Sequence, residues 1–240
     1  MNIKTFQIIL AFFPIIYCAQ SPDLRPNLSG MVNDHNNLRD YANNWKNNTN
    51  RSIDMDELKK NTAGTPYFDD KFKKAQLIDG TPVPNELRYN AFSDQMEFMK
   101  DGVTYEVNKL NGLKIKFPAT NTTYIVKPLI KDNKETLSYF NELRSGKFSL
   151  LEKKSIKLTG GTGVNNGLVN NTGQSFSPLK DELYISTNDT LILIPKNTKD
   201  LSKQFSEMGI DLGEFLQSKK VNLKNTADLT ALVDFLNKNR

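Results

Sequence analysis

Two-residue alternation of apolar and polar side chains, interrupted by glycine turns, is the feature that most constrains this sequence. Residues 96–100 and 103–107 alternate in this way on either side of Asp101-Gly102, and 113–117 repeat the pattern after Asn111-Gly112. Asp-Gly and Asn-Gly accept the positive φ angles that tight hairpin turns require. Strands joined by such turns are antiparallel, because a parallel crossover needs about a dozen residues or more. The pattern therefore predicts an antiparallel meander with one face buried.

Further strands and a helical C-terminal part complete the predicted fold. Short apolar segments predict strands at 87–91, 124–129, 136–143, 147–158, 182–186 and 190–194. From about residue 197 the apolar spacing becomes helical, as in Leu229, Leu232, Val233 and Leu236, with Asp211 and Asn225 as caps for the second and third helices. We expect an α+β fold, in which C-terminal helices pack on a meander of about 8–10 strands.

The composition divides the chain into successive parts. Residues 1–21 are expected to be a signal peptide, and 22–63 a polar, Asn-rich, partly ordered lead-in. Residues 64–240 are expected to form a single α+β domain. Within it, glycine and asparagine dominate 159–178, which predicts a flexible loop, and 197–240 is the helical part.

The N-terminus has the features of an export signal. Lys4 precedes an apolar run, Phe6–Tyr17, which is shorter than the roughly 20 residues that a membrane span needs. Small residues at 19–21 suit cleavage, so no transmembrane span is expected in the mature form. Cys18 is the only cysteine and lies where a lipoprotein carries its lipid, although the bulky Tyr17 before it disfavours lipidation. Cleavage after Cys18 would leave no thiol and no disulfide.

Charge and residue content exclude several kinds of site. The net charge is +5, with 32 basic residues interspersed among 27 acidic ones, so no clustered basic stripe for nucleic acid is expected. His35 is the only histidine and lies in the Asn-rich lead-in. A histidine-based metal centre or a serine–histidine triad is therefore hard to build, and we expect neither a metal site nor a cofactor.

Two sets of residues are candidates for a functional site. The first set is a possible binding surface for a partner protein or glycan: Tyr67, Arg88, Tyr89 and Asn90. For Tyr89 the alternative is packing in the core. The second set consists of carboxylates that could serve a hydrolase: Asp69, Asp70, Asp94 and Glu97. A glycosidase holds two carboxyl groups roughly 5–9 Å apart across a cleft. The alternative for these carboxylates is surface solvation.

Three sequence phrases carry a resemblance to a known group. They are Gly64-Thr65-Pro66-Tyr67, the segment Leu87–Phe98, and Gly146–Lys153, followed by a lysine-rich helical tail. Over roughly residues 64–240 they resemble a group of uncharacterised exported proteins of Bacteroidota. The resemblance implies a periplasmic, cell-envelope or secreted location and supplies no catalytic residues. Asp189-Thr190-Leu191 also resembles the O-glycosylation tripeptide of exported proteins from that source, which makes Thr190 a candidate site; the alternative is a hairpin turn at Asn188-Asp189.

The sequence thus predicts an exported cell-envelope or secreted protein, most simply a non-enzymatic binding or structural module. Its expected partner is an envelope protein or glycan, with no nucleic acid. The alternative is a carboxylate-dependent hydrolase that acts on envelope polymers.

Overall fold

The computed structural model describes residues 49–51, 58, 60, 62–165, 168–187 and 190–238. The described strands are β1 (Thr49–Arg51), β2 (Thr62–Ala63), β3 (Gln76–Leu77), β4 (Leu87–Asn90), β5 (Gln95–Lys100), β6 (Val103–Val107), β7 (Lys114–Phe117), β8 (Thr122–Lys131), β9 (Lys134–Arg144), β10 (Ser149–Lys153), β11 (Ile156–Asn165), β12 (Leu168–Pro178), β13 (Glu182–Ser186) and β14 (Leu191–Leu193). The described α-helices are α1 (Thr198–Glu207), α2 (Gly213–Ser218) and α3 (Thr226–Lys238). The predicted α+β class is confirmed.

The strands form three sheets. The largest has the order β14-β13-β10-β9-β8-β7-β3 and is antiparallel throughout. A second sheet has the order β1-β6-β5-β4, so a strand from the Asn-rich lead-in pairs with β6. In the third, β12 lies between β11 and β2 and pairs with β2 in parallel. The meander is therefore divided between sheets.

Local turn chemistry explains which predicted hairpins form. Asp101 and Gly102 have φ angles of 52° and 75°, as a tight turn between β5 and β6 requires. Asn111-Gly112 instead connects β6 of the second sheet to β7 of the largest sheet. Gly112 N already donates to Val126 O (2.8 Å) on β8, which belongs to the largest sheet. The hairpin predicted there is wrong, since alternation indicates a strand but does not say which sheet it joins.

The segment 159–178 is also corrected by the structure. Its backbone lies in β11 and β12, which pair as an antiparallel hairpin, so the loop prediction is wrong as secondary structure. The strand predicted over 147–158 is likewise divided into β10 and the start of β11. Glycine and asparagine are depleted in strands, which explains the error, but the ladder itself needs only main-chain groups. Thr159 Oγ1 adds a hydrogen bond to Ser175 O at 3.1 Å.

The C-terminal helices form where their apolar stripes predict them. Asn197 caps α1 by accepting a hydrogen bond from Asp200 N (2.9 Å), and Asn225 accepts one from Ala227 N (2.8 Å) at the start of α3. Asp211 accepts from Gly213 N (2.7 Å) at the start of α2. The apolar side chains of α1–α3 bury against Leu150, Ile185 and Ile192 of the largest sheet. Along the described part of the chain, no helix is long and apolar enough to cross a membrane.

A second core cluster joins the two larger sheets and positions the candidate site. It contains buried residues of β4, β5, β7, β8 and β9, including Leu87, Met96, Ile115 and Tyr139. β4 and β7 thereby approach each other beneath the irregular segment 66–73, which precedes β3. That segment is held down by main-chain hydrogen bonds between Lys73 and Leu87 (2.8 Å in each direction) and from Ala91 N to Pro66 O (3.0 Å).

Candidate functional site

A pocket of about 240 Å³ lies between the segment 66–73 and the strands β4, β7 and β8. We call it the aromatic pocket. It is lined by apolar and aromatic side chains and by polar and charged ones: Phe68, Leu87, Tyr89, Phe117 and Tyr124; Asp69, Lys71, Lys73, Arg88, Thr120 and Thr122. Small-molecule sites typically combine apolar walls with a few placed polar groups in this way. Its volume lies just below the roughly 300 Å³ at which drug-sized sites begin, which suits a ligand of one small ring.

Arg88 is the most firmly held charged group in this pocket. Its guanidinium carbon lies 4.0 Å from the ring centroid of Tyr67 and 4.3 Å from that of Phe72. Its Nε donates to Glu97 Oε2 at 2.9 Å, and Nη1 approaches Asp70 O at 3.5 Å. A guanidinium has five N–H groups, so these contacts leave terminal donors for a ligand. Stacking and ion pairing fix its plane before any ligand arrives.

Glu97 is the buried anion that organises the residues behind the pocket. Its side chain is 0% exposed, and it accepts hydrogen bonds from Tyr67 Oη (3.0 Å) and Asn90 Nδ2 (2.6 Å) as well as from Arg88. Three of the four predicted binding residues therefore converge on one carboxylate. They do not form an exposed surface, because Tyr67 is 3% and Asn90 0% exposed. Of these three, only Arg88 lines the pocket.

Asp94 is the centre of a second polar cluster. It accepts from Tyr89 Oη (2.7 Å) and Lys109 Nζ (2.9 Å), and it pairs with the buried Lys153. Its backbone has a φ of 55°, which places it in the left-handed turn between β4 and β5. Burial raises the pKa of the Tyr89 hydroxyl, with Asp94 adding to the effect. Burial lowers the pKa of Lys153, and Asp94 opposes that shift. Tyr89 itself is in the core, as its alternative interpretation predicted.

Asp69 and Asp70 lie on the exposed segment above β4. Asp69 pairs with Lys73 and accepts from Lys71 N at 3.1 Å. The hydrogen bond from Lys73, followed by that from the Lys71 backbone, lowers the pKa of Asp69. Asp69 is the only one of the four predicted carboxylates that lines the aromatic pocket. Because Asp94 and Glu97 are each held in their own clusters, the structure does not bring the four together in one cleft.

Tyr124 also lines the pocket, and no sequence pattern singles it out as a site residue. Its ring packs on Tyr89 and Phe117, with centroid distances of 4.9 and 5.9 Å. Burial, followed by the charges of Glu152 and Asp69, raises its pKa to about 12, so the hydroxyl stays protonated. Within the described residues, no hydrogen bond satisfies this hydroxyl. The sequence predicts only a strand over 124–129 and no role for Tyr124. Phe68, Lys71 and Lys73 were missed as well, because their segment has no regular periodicity.

The remaining candidate residues lie elsewhere. Residues 1–21, with Cys18, and His35 lie outside the described residues. Thr190 is exposed and precedes β14, and its N–H donates to Thr187 Oγ1 at 3.1 Å. Asn188 and Asp189, where the alternative hairpin turn is predicted, lie outside the described residues. Among the residues that the structure describes, no group of three or more His, Cys, Asp or Glu side chains could hold a metal ion.

Comparisons with known proteins add no further assignment. No protein-family model, no curated protein and no solved structure matches the chain. The pocket therefore has to be interpreted from its own geometry.

Proposed function

We propose that this protein is an exported, non-enzymatic binding module that holds a small polar group of an envelope glycan in the aromatic pocket. The observation that carries the proposal is the pre-organised arrangement of the pocket. Arg88 is fixed between two rings and against Glu97, and Tyr124, whose hydroxyl has no hydrogen-bond partner among the described residues, also lines the pocket. A site whose polar groups are fixed in advance loses little entropy on binding.

The charged start, short apolar run and small residues of 1–21 support export. Fractionation of cells that express the full chain with a C-terminal tag, followed by mass spectrometry of the N-terminal peptide, tests it. We expect the protein outside the cytosol, beginning after residue 18, or at a lipidated Cys18. A cytosolic protein that retains its first 20 residues would refute export.

Capture of material from the envelope fraction of the source cells tests the binding function. The tagged wild type is compared with Phe68→Ser/Lys71→Gln, which alters two exposed pocket residues, and with the matched surface variant Ile130→Ser/Lys134→Gln on the β8–β9 hairpin. We expect glycan, read by mass spectrometry, on the wild type and the hairpin variant but not on the pocket variant. Equal recovery on all three, or none above background, would contradict the proposal.

No arrangement of the described carboxylates favours the hydrolase alternative over this one. It would need a second carboxyl group facing Asp69 across the aromatic pocket, and the pocket lining contains none. The hydrolase therefore stays a prediction of the sequence and is not proposed.

A further inference from the structure

We propose that the ligand of the aromatic pocket is an acidic sugar, bound through its carboxylate by Arg88 and the neighbouring lysines. This inference rests on the proposed function and names the ligand class of the same site. The charge, the donor groups and the walls of the pocket each support it.

The charge of the lining favours an anion. Lys71, Lys73 and Arg88 face one carboxylate, Asp69, which is already paired with Lys73. The ammonium of Lys71 forms no ion pair with any described residue. Glu97 neutralises part of Arg88 from behind, but it is fully buried and does not line the pocket. An anion entering the pocket therefore meets an excess of positive charge.

The geometry of Arg88 favours a planar anion. Its Nε is committed to Glu97, and its two ring contacts fix the guanidinium plane. Nη1 contacts Asp70 O with one N–H at 3.5 Å, so Nη2 and the second N–H of Nη1 remain for a ligand. Two parallel N–H groups match the two oxygens of a carboxylate, which gives a bidentate contact. Because the side chain is ordered in advance, little rotamer entropy is lost when that contact forms.

The walls favour a sugar ring over a bare anion. Phe68 is 48% exposed, and the rings of Phe117 and Tyr124 complete an apolar wall that an isolated phosphate or acetate ion would leave uncovered. A pyranose has an apolar C–H face to cover that wall and hydroxyl groups at its edge. Tyr124 and Asp69, which both line the pocket, supply a hydroxyl donor and a carboxylate acceptor for those hydroxyls, and about 240 Å³ accommodates one ring.

Isothermal titration with single compounds tests this inference. Glucuronic acid is the probe, glucose is its neutral counterpart, and inorganic phosphate is the anion without a ring. We expect glucuronate to bind about tenfold or more tightly than glucose, the ratio that about 1.4 kcal/mol from the carboxylate contacts gives. Phosphate is expected to bind more weakly than glucuronate.

Conservative variants locate the effect without disturbing the fold. Tyr124→Phe keeps the ring and should weaken glucuronate about threefold to tenfold, as expected for the loss of one hydrogen bond. Lys71→Gln should weaken glucuronate but leave glucose unchanged. Tyr105→Phe and Lys134→Gln, which lie outside the pocket lining, are the matched controls and should change neither affinity.

Each other result overturns the inference in a distinguishable way. Equal affinity for glucose and glucuronate would refute the role of the carboxylate and leave the proposed binding function intact. Phosphate binding as tight as glucuronate binding would refute the sugar. If none of the three compounds binds, the acidic-sugar assignment is wrong. The envelope capture experiment then decides separately whether the pocket binds a glycan.

Discussion

At the scale of single residues, Glu97 is the side chain on which the base of the pocket depends. It is a fully buried carboxylate with donors from Arg88, Tyr67 and Asn90. Removing one member of a buried ion pair leaves the other charge without compensation, which costs about 3–5 kcal/mol. We therefore expect Glu97→Ala to lower the free energy of unfolding by that amount in urea denaturation.

The exposed Glu135 on β9 gives a matched control for that measurement. Glu135→Ala should change the free energy of unfolding by no more than about 0.5 kcal/mol, as is usual for surface positions. A loss below about 1 kcal/mol in Glu97→Ala would show that the carboxylate does not hold Arg88 in solution.

Tyr124 gives a prediction about pH. Its folded pKa of about 12 lies above the ordinary value of 10.0, so its contribution is fully present below about pH 10 and is lost as pH rises towards 12. Between about pH 8 and about pH 11, the unfolding free energy of the wild type should therefore fall by about 1 kcal/mol more than that of Tyr124→Phe, which has no hydroxyl to titrate. A lowered folded pKa would instead make the unfolding free energy of the wild type rise over this pH range.

The number of protons bound by the folded and unfolded chains sets the sign of this effect. Between about pH 10 and 12 the unfolded chain has released the Tyr124 proton while the folded chain retains it. Because the folded chain holds the extra proton, the free energy of unfolding decreases as the pH rises through this range. Urea denaturation at about pH 8 and about pH 11, on the wild type and Tyr124→Phe, measures the difference. An equal fall in both proteins would contradict the pKa assignment.

The sequence identified some residues of this site and missed others for a physical reason. Arg88 belongs to the predicted binding set, together with Tyr67, Tyr89 and Asn90. Its partner Glu97 was selected only as a carboxylate, since alternation cannot show that a charged side chain points inwards. Lys71 and Tyr124 could not be predicted, because no sequence pattern shows that the segment 66–73 lies close to β8.

At the scale of elements, Asn237 joins α3 to the start of β10. Its amide accepts from Phe148 N (2.8 Å) and donates to Phe148 O (2.9 Å). A Cβ added at Gly146 would collide with this amide, lying 2.9 Å from its Cγ. The turn between β9 and β10 is therefore held by a side chain from the far end of the chain, which no local turn signal predicts.

A double-mutant cycle tests this contact. Asn237→Ala should cost about 1–3 kcal/mol, because it leaves two main-chain groups without their partners. Gly146→Ala should be destabilising in the wild type and less so in Asn237→Ala, since the colliding amide is then gone. Gly173→Ala, where an added Cβ meets nothing within 4 Å, is the control. Additive effects of Gly146→Ala and Asn237→Ala would show that the contact does not form.

Strands and helices were predictable where a periodic pattern of apolar side chains marks them, and not where main-chain hydrogen bonds alone hold them. The alternating strands β5 and β6 and the stripes of α1 and α3 were anticipated closely, because burial selects their apolar residues. The β11–β12 hairpin was not, because main-chain pairing of glycine and asparagine leaves no periodic signal. The two-residue turn of Asp132 and Asn133, with φ angles of 50° and 59°, lacks the glycine that marks such turns.

At the scale of the whole molecule, the two larger of the three hydrophobic clusters have different roles. One cluster packs the helices on β10, β13 and β14, and the other packs β4 and β5 against β7, β8 and β9. The aromatic pocket lies at the edge of the second cluster, whose strands fix Arg88 and Tyr124 from two different sheets. The proposed ligand site is therefore held by strands of two sheets.

Amide chemical shifts of the ¹⁵N-labelled protein, followed during titration with glucuronic acid, test that central claim most directly. We expect shifts concentrated in 68–73, 87–89 and 117–124, which surround the aromatic pocket, and no shifts in 198–207 at the surface of α1. Shifts centred on α1, or spread evenly over the chain, would contradict it.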